Sequence, residues 1–382
     1  MTGDNPFVYG EIVPAAAFVG RDVELDRLTT DLASGQKVFL ISPRRYGKSS
    51  LVHQAAAALA KRRIATLEFT VSSFSSYVAF LEGYARALVS LESKAGQARS
   101  WLASLFTTVT PEIRVDAGVG AGVSLAFPSI RTQRDAARLA EEVFALPARV
   151  AARLGRRLVV ALDEFQAIGS FNGGSVEQAL RAAVQQQRQV GYVFAGSEPT
   201  LMEQMIGPKR PFYKAGPVMR LQKIPGEVFA GFLEERFRRS GLPATPGLGD
   251  AIVDLAGNLP YDVQRLAHET WDDAWSARRK RVSVDDLHET LHRLLTEQDT
   301  LFEAVWQRLT LAQRSTMRAV VLEHGAGLLG AETRTRHRLG GASSVQASLT
   351  ALLREDLVVR EDDGHYAVVD SLMREWVARK TY

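Results

Sequence analysis

The sequence predicts an α/β protein in which a parallel sheet with helices on both faces is followed by an α-helical lid and a C-terminal winged helix-turn-helix. Two short apolar runs, 38–41 and 158–162, each end in polar residues, as buried strands of a parallel sheet do. From Pro225 onward, apolar residues recur at helical spacing. The last segment adds two short strands around Asp363-Gly364 to its helices, a pattern typical of a winged helix.

The length and amino-acid composition exclude several classes of protein and of functional site. The 382 residues suffice for two or three domains. They include no cysteine, which excludes disulfides, thiolate catalysis and cysteine-based zinc sites. The net charge of +4 is too small over this length to indicate nucleic-acid binding by itself. Because the sequence has neither an apolar run of about 18 residues nor a secretory signal pattern, we expect a cytoplasmic protein with no membrane partner.

The segment 37–52 contains a strand, a tight loop and a helix start that carries Gly47-Lys48-Ser49. This is the pattern of a phosphate-binding loop, in which backbone amides and the helix dipole surround an anion. Lys48 would lie against the β- and γ-phosphates of a nucleotide, and the Ser49 hydroxyl would bind Mg²⁺. Ser42 stands where the usual pattern has its first glycine. The alternative is a basic turn that happens to contain Gly-Lys-Ser.

All residues of the loop and of the first helical turn are predicted to contact the nucleotide. They are Ser42, Pro43, Arg44, Arg45, Tyr46, Gly47, Lys48, Ser49 and Ser50.

The strand at 158–162 ends in Asp163 and Glu164. Ligands of parallel sheets bind at the carboxyl ends of the strands. We expect Asp163 to hold Mg²⁺ through water and Glu164 to act as the base that deprotonates the attacking water. The alternative is an ordinary strand that leaves the sheet for solvent.

Two further residues are catalytic candidates. Ser197 ends the apolar run 191–196 and would lie near the γ-phosphate as a sensor; it could also cap the helix that starts at Pro199. Lys214 closes the basic, aromatic loop 209–214 and could reach the nucleotide of a neighbouring subunit. A solvated basic loop is the simpler interpretation of Lys214.

Segments before and after the sheet supply further candidates. Phe7, Gly20 and Arg21 would suit a flap over the nucleotide base, although an ordinary N-terminal arm with a turn at Gly20 has the same pattern. Pro260 lies at a helix–helix corner, and Arg265 in the next helix could face nucleotide or solvent.

In the predicted winged helix, the helix that starts near Ser343 would enter a DNA groove. Ser343, Ser344 and Gln346 would contact DNA together with Arg338 of the preceding basic turn. The charge of this segment is nearly balanced. A protein partner or a homo-oligomer is therefore an alternative to duplex DNA.

These features together resemble the archaeal-type ATPases of the STAND branch of P-loop NTPases, which are relatives of AAA+ proteins. The matching motifs are Asn5-Pro6-Phe7, the box 18–21, the loop 42–50, Leu162-Asp163-Glu164-Phe165, Gly196-Ser197, Gly257-Asn258-Leu259-Pro260 and the terminal winged helix. The resemblance implies ATP and Mg²⁺ as cofactors, slow hydrolysis, a lid whose Gly-x-x-Pro turn packs by the base, and Arg21 as a polar contact of the nucleotide. Where the family often carries an arginine near Tyr213, this chain has Lys214-Ala215.

We therefore expect a P-loop nucleotide-binding domain at 1–222 with a glycine-rich hairpin inserted near 111–128, a helical lid at 223–300 and a winged helix domain at 301–382. The expected function is an ATP-hydrolysing switch that couples nucleotide state to DNA binding. One alternative is a nucleotide-gated regulator whose winged helix binds a protein. Another is a nucleotide binder with little hydrolysis, although the presence of Glu164 favours hydrolysis.

Overall fold

The computed structural model describes residues 4–91, 106, 112–115, 123–127, 130, 132–171, 174–361 and 363–380. The chain divides into two compact units. The sheet unit is Pro14–Gln222, and the helical unit combines Met1–Val13 with Lys223–Tyr382. Among the described residues, no helix is both long and apolar enough to cross a membrane.

The sheet unit is built on parallel strands. In chain order its strands are β1 (Lys37–Ile41), β2 (Ala65–Thr70), β3 (Glu112–Val115), β4 (Val123–Ala126), β5 (Leu158–Asp163), β6 (Val190–Gly196) and β7 (Val218–Arg220). Among the described residues, five of them form one sheet in the order β2-β5-β6-β1-β7, and every neighbouring pair is parallel. The catalytic candidates that follow β1, β5 and β6 therefore meet at one edge of the sheet.

Helices cover both faces of this sheet. They are α1 (Asp22–Ala33), α2 (Lys48–Lys61), α3 (Tyr77–Val89), α4 (Gln133–Leu154), α5 (Gly174–Gln186) and α6 (Pro199–Ile206), with short 3-10 helices at Ala15–Ala17, Val71–Ser73 and Phe165–Ser170. Side chains of β1 alternate between the two faces, as strand geometry requires. Val38 and Leu40 pack with α1 and α2, whereas Phe39 and Ile41 join the cluster that contains α3, α4 and α5. The predicted fold class is confirmed.

Strands β3 and β4 form a separate antiparallel pair, with Glu112 opposite Ala126. They flank part of the segment for which the sequence predicts a glycine-rich hairpin. The glycines between the two strands lie outside the described residues.

The helical unit contains α7 (Gly226–Arg239), α8 (Leu248–Ala256), α9 (Pro260–Ser276), α10 (Val284–Arg308), α11 (Leu311–Leu322), α12 (Ala331–Arg336), α13 (Ala342–Arg354) and α14 (Ser371–Arg379). Strands β8 (Val358–Arg360) and β9 (Tyr366–Val368) form its antiparallel hairpin. Helix α10 starts at a capping box of Ser283 and Asp286 and runs without interruption past residue 300. The domain boundary that the sequence suggests at 300/301 therefore falls inside a helix.

The N-terminal arm packs within the helical unit rather than within the sheet unit. Phe7 is 1% exposed, and its ring lies 4.7 Å from that of Phe237 in α7. Asn5 Nδ2 donates to the carbonyl oxygen of His268 in α9 at 3.0 Å. These contacts join residues far apart in sequence, so the local pattern that grouped the arm with residues 14–222 could not predict them.

Candidate active site

The loop between β1 and α2 is held against the neighbouring strand. The Ser42 amide donates to the carbonyl oxygen of Gly196 at 3.3 Å, and the Ser42 side chain is buried. Gly47 has φ of +84°, a left-handed conformation that glycine adopts without strain. A Cβ at Gly47 would meet no atom within 4 Å. Glycine is therefore favoured at this position by the backbone conformation and not by a lack of space. The Ser42 hydroxyl has no hydrogen-bond partner among the described residues.

Lys48 and Ser49 both contact the carboxylate at the end of β5. The Lys48 ammonium bonds to Asp163 Oδ1, and the Ser49 hydroxyl donates to Asp163 Oδ2 at 2.9 Å. Lys48 Nζ also lies 3.6 Å from Glu164 Oε1. Only 6% of the Lys48 side chain is exposed, so its charge acts in a partly desolvated environment, where electrostatic interactions are stronger than in water.

The donors at this point suit Mg²⁺. A serine hydroxyl and one carboxylate are hard oxygen ligands, and Mg²⁺ in phosphoryl-transfer sites typically uses one or two carboxylates with substrate phosphates and water. Across the described ranges, no group of three or more His, Cys, Asp and Glu could hold a metal without such help. Ser49 and Asp163 are therefore the residues that would hold the ion.

Glu164 takes a left-handed backbone conformation, with φ of +50° and ψ of 44°. Its amide donates to Asp163 Oδ1 at 2.9 Å. In a regular strand, adjacent side chains point to opposite faces. The bend at Glu164 ends that alternation, and both carboxylates approach Lys48. Such a conformation costs a non-glycine residue roughly 1–2 kcal/mol, and strain of this kind is common at functional sites.

Ser197 lies next to Glu164. Its hydroxyl donates to Glu164 Oε2 at 2.6 Å. The N-cap of α6 is Glu198, and no side chain caps that helix. Of the two roles that the sequence allows for Ser197, the hydroxyl therefore occupies a position beside the candidate base rather than at the helix end.

Gln166 also belongs to this group, and sequence reasoning missed it. Its Nε2 donates to the same oxygen, Glu164 Oε2, at 2.6 Å. The available signal was a polar residue inside the apolar run Phe165–Ile168, directly after the two carboxylates.

Arg21 supports the loop from within the sheet unit. Its side chain is 4% exposed, and it donates to the carbonyl oxygens of Tyr46 and Gln222 and to Glu24 Oε1. Gly20, just before it, has φ of +66°. The guanidinium thus has partners within the protein, and the contact of Gly20 and Arg21 with a nucleotide stays a prediction.

The basic loop after α6 is anchored by its own side chains. Arg210 pairs with the buried carboxylate of Glu177 at 2.7 Å. The Lys214 ammonium lies 5.3 Å from the ring centre of Tyr213. Burial raises the pKa of Glu177 above its ordinary value, and Arg210 opposes part of that shift.

A cleft of about 1150 Å³ opens beside the candidate base. Arg44 of the loop, Glu164 and Gln166 line it, as do Glu198 and residues of α6. Both charged and uncharged polar side chains therefore surround the space next to Glu164.

Phe7, Pro260 and Arg265 belong to the helical unit. Phe7 is buried against Phe237, and its contact with a nucleotide stays a prediction. Pro260 is the first residue of α9, a position where proline is favoured. Arg265 Nε is buried without a hydrogen-bond partner among the described residues.

The residues predicted to face DNA are exposed in the winged helix. Ser343, Ser344 and Gln346 lie at the start of α13, and Arg338 lies in the turn before it. The neighbouring Arg336 is paired with Glu323 at 2.8 Å and with Glu332 at 2.7 Å.

Comparisons with known proteins agree with this architecture. A family model described as a probable winged helix domain matches residues 300–379. No curated protein sequence matches the chain. The Walker-type ATPase paby2304 of Pyrococcus abyssi is similar over 96% of this chain and 99% of its own, with 16% identity and a TM-score of 0.62.

Two further solved structures come from Aeropyrum pernix. The ORC2 protein, in its ADPNP-ADP complexes, is 15% identical with a TM-score of 0.54, over 99% of this chain and 96% of its own. The ORC1 protein in complex with DNA is 14% identical with a TM-score of 0.53, over 97% and 95%. At these sequence identities, the structural similarity shows the fold alone. The chain therefore has the fold of archaeal Walker-type ATPases, with a winged helix domain over residues 300–379.

Proposed function

We propose that this chain is a Mg²⁺-dependent ATP hydrolase that works as a molecular switch, with a winged helix that binds duplex DNA. The observation that carries the proposal is the meeting of Lys48, Ser49, Asp163 and Glu164 at one edge of the parallel sheet. A cation, a hydroxyl and two carboxylates with distinct partners are the groups that phosphoryl transfer to water requires.

The phosphate loop would hold the nucleotide. Amides of the loop 42–47 and of the first turn of α2 provide donors for phosphate oxygens, and the helix dipole adds positive potential. Lys48 exchanges its bond to Asp163 for the β- and γ-phosphates. Arg21 keeps the loop in place through the Tyr46 carbonyl.

Glu164 would act on the attacking water. Ser49 and Asp163 would hold Mg²⁺, which when bound neutralises charge on the phosphate oxygens. Glu164 accepts a proton from water while the oxygen of that water attacks the γ-phosphorus. The bond from the γ-phosphorus to the β,γ-bridging oxygen breaks, and ADP leaves with the electron pair. Ser197, whose hydroxyl donates to Glu164, would respond to the γ-phosphate.

The test is steady-state ATP turnover with Mg²⁺, with excess EDTA, and with Mg²⁺ in the Glu164→Gln variant. Metal-dependent turnover that the variant loses supports hydrolysis by this site. Turnover that survives both EDTA and the substitution would come from another source and would contradict the proposal.

Duplex DNA would bind through Ser343, Ser344, Gln346 and Arg338. These residues form an exposed, largely uncharged face that can approach base edges, and the similar ORC1 structure is a DNA complex. Turnover measured with and without duplex DNA over a salt series tests this part. Stimulation that falls steeply with salt supports DNA.

A protein partner or a homo-oligomer is the second candidate, and the hairpin β8–β9 favours it. The exposed Asp363 lies at the tip of this hairpin, whereas the Glu361 carboxylate beside it is already paired with Lys223 at 2.5 Å. A carboxylate at the tip of a wing would repel DNA phosphates. Turnover per chain that does not change with DNA but rises with protein concentration would favour this candidate.

The remaining sequence predictions are part of the proposal. Lys214 would serve a neighbour's nucleotide, and the residues near the nucleotide would be Phe7, Gly20, Arg21, Pro260 and Arg265. Membership of the STAND branch rests on the motif resemblance alone.

A further inference from the structure

Gln166 holds a fixed position between the ends of β5 and β6. It is 9% exposed at the start of the 3-10 helix Phe165–Ser170. Its Nε2 lies 2.6 Å from Glu164 Oε2, 3.4 Å from Ser197 Oγ and 3.3 Å from Glu198 Oε1. One amide group therefore contacts the candidate base, the candidate sensor and the N-cap of α6.

The hydrogen-bonding properties of its neighbours determine the orientation of the Gln166 side-chain amide. Two of the three neighbours of Nε2 are carboxylate oxygens, which can only accept hydrogen bonds when ionised. The reversed amide would place its own oxygen against two anionic oxygens. Its NH₂ group therefore faces them, and Oε1 lies on the buried side without a partner among the described residues.

The end of β6 is shaped around this side chain. A Cβ at Gly196 would lie 2.8 Å from Gln166 Oε1 and 2.4 Å from the Met202 side chain. Any larger residue at 196 would displace the amide. Gly196 thus allows Gln166 to pack directly against the strand that leads to Ser197.

The two oxygens of Glu164 consequently differ. Oε2 accepts from both Gln166 and Ser197, each at 2.6 Å. Oε1 lies on the side of Lys48, 3.6 Å from its ammonium. With two donors on Oε2, the side chain cannot turn without breaking both bonds.

We propose that Gln166 is a positioning residue that anchors Glu164 through Oε2 and leaves Oε1 to take the proton from the attacking water. The inference rests on the proposed ATP hydrolysis and assigns a role to a residue that the sequence reasoning missed. Gln166 acts only through Glu164, so its loss affects the chemical step and spares ATP binding.

The test compares Gln166→Met, which keeps the length of the side chain and removes the donor, with the wild-type chain. The matched control is Gln185→Met, the same change at an exposed position of α5 that does not line this cleft. We expect kcat to fall roughly 10- to 100-fold in Gln166→Met, as for a misplaced catalytic group. The affinity for Mg-ATP, measured by calorimetry, stays within about twofold, and Gln185→Met matches wild type.

A double-mutant cycle separates positioning from general damage. In the Glu164→Gln background, measured by single turnover, Gln166→Met should cause no further loss, because its target is gone. If thermal melting shows Gln166→Met to be unfolded, Gln166→Asn replaces it, since the amide is then one methylene too short to reach Oε2.

Equal kcat in wild type and the Gln166 variant, or an undiminished loss in the Glu164→Gln background, would overturn the inference while ATP hydrolysis stands. A wild-type chain that does not hydrolyse ATP would overturn the proposed function, and this inference with it.

Discussion

The Ser49 hydroxyl donates a 2.9 Å hydrogen bond to Asp163 Oδ2, which joins the first turn of α2 to the end of β5. Lys48 bonds to the other oxygen of the same carboxylate. Both contacts cross more than a hundred residues of sequence. Because one carboxylate links the start of α2 to the end of β5, a substitution on either element should affect the position of both.

Lys48→Ala should weaken the binding of Mg-ATP strongly. A hydrogen bond to a charged group contributes about 1.5–3 kcal/mol, so we expect roughly a 10- to 150-fold rise in Kd by isothermal calorimetry. Lys61→Ala, at the exposed end of the same helix, is the control and should leave Kd unchanged. A folded Lys48→Ala variant with wild-type affinity would refute the phosphate-loop interpretation.

Arg21→Ala should destabilise the sheet unit and weaken ATP binding together. The carbonyl oxygens of Tyr46 and Gln222 lose their donor, and an unsatisfied buried acceptor costs about 1–3 kcal/mol. Urea unfolding gives the first effect and calorimetry the second. Arg27→Ala changes an exposed arginine in α1, the helix that follows Arg21, and should alter neither measurement. Lost affinity at unchanged stability would instead favour direct contact between Arg21 and nucleotide.

Arg210→Ala should reveal the buried carboxyl of Glu177 as a pH-dependent loss of stability. Burial raises the pKa of Glu177, and Arg210 opposes this shift, so the variant has the higher pKa in the folded state. A raised folded-state pKa favours folding below the unfolded value, and this contribution is lost as pH rises.

The destabilisation by Arg210→Ala should therefore be small near pH 4 and grow toward pH 7. Urea unfolding at both pH values measures it. Arg220→Ala, which removes an exposed pair with Glu203, is the control. A loss that does not change with pH would mean that Glu177 is ionised equally in both states.

The sheet could be predicted because its signals are local. Val38–Ile41 is a short run of apolar, partly β-branched residues that favours a buried strand, and Gly47-Lys48-Ser49 is a recognisable helix start. The partners of Gln166, Arg21 and Phe7 could not be predicted, because each contact depends on which strand or helix lies alongside. The continuation of α10 past residue 300 could not be predicted for a related reason. Whether a helix continues or stops depends on what its second half packs against.

Arg338→Ala should weaken DNA binding if the winged helix contacts a duplex. Removal of one phosphate contact lowers the slope of log affinity against log salt by about 1. Arg336→Ala is the matched control, because the guanidinium of Arg336 is already paired with Glu323 and Glu332. Fluorescence anisotropy with a labelled duplex measures both slopes. Equal slopes in Arg338→Ala and wild type would remove Arg338 from the DNA surface.

Asp163→Asn and Glu164→Gln should separate metal binding from proton transfer. Glu164→Gln keeps the size of the side chain but cannot accept a proton from water. We expect it to bind Mg-ATP as well as the wild type does and to hydrolyse it roughly 10²- to 10⁴-fold more slowly, the range for a lost general base. ATP turnover and ATP affinity are measured side by side for both variants.

Asp163→Asn should behave differently, because Asp163 is the carboxylate bonded to both Lys48 and Ser49. The side-chain amide of the asparagine is neutral and has one acceptor oxygen, whereas the carboxylate has two. The variant therefore cannot bind Lys48, Ser49 and the metal as the aspartate does. Affinity for ATP should fall in Mg²⁺ and change little in EDTA, since the lost interaction passes through the ion. The difference between the two conditions is therefore the measurement that identifies Asp163 as a metal residue. Equal turnover in wild type and Glu164→Gln would mean that another group is the base or that the chain only binds nucleotide, and an Asp163→Asn variant with unchanged Mg²⁺ dependence would assign the metal elsewhere.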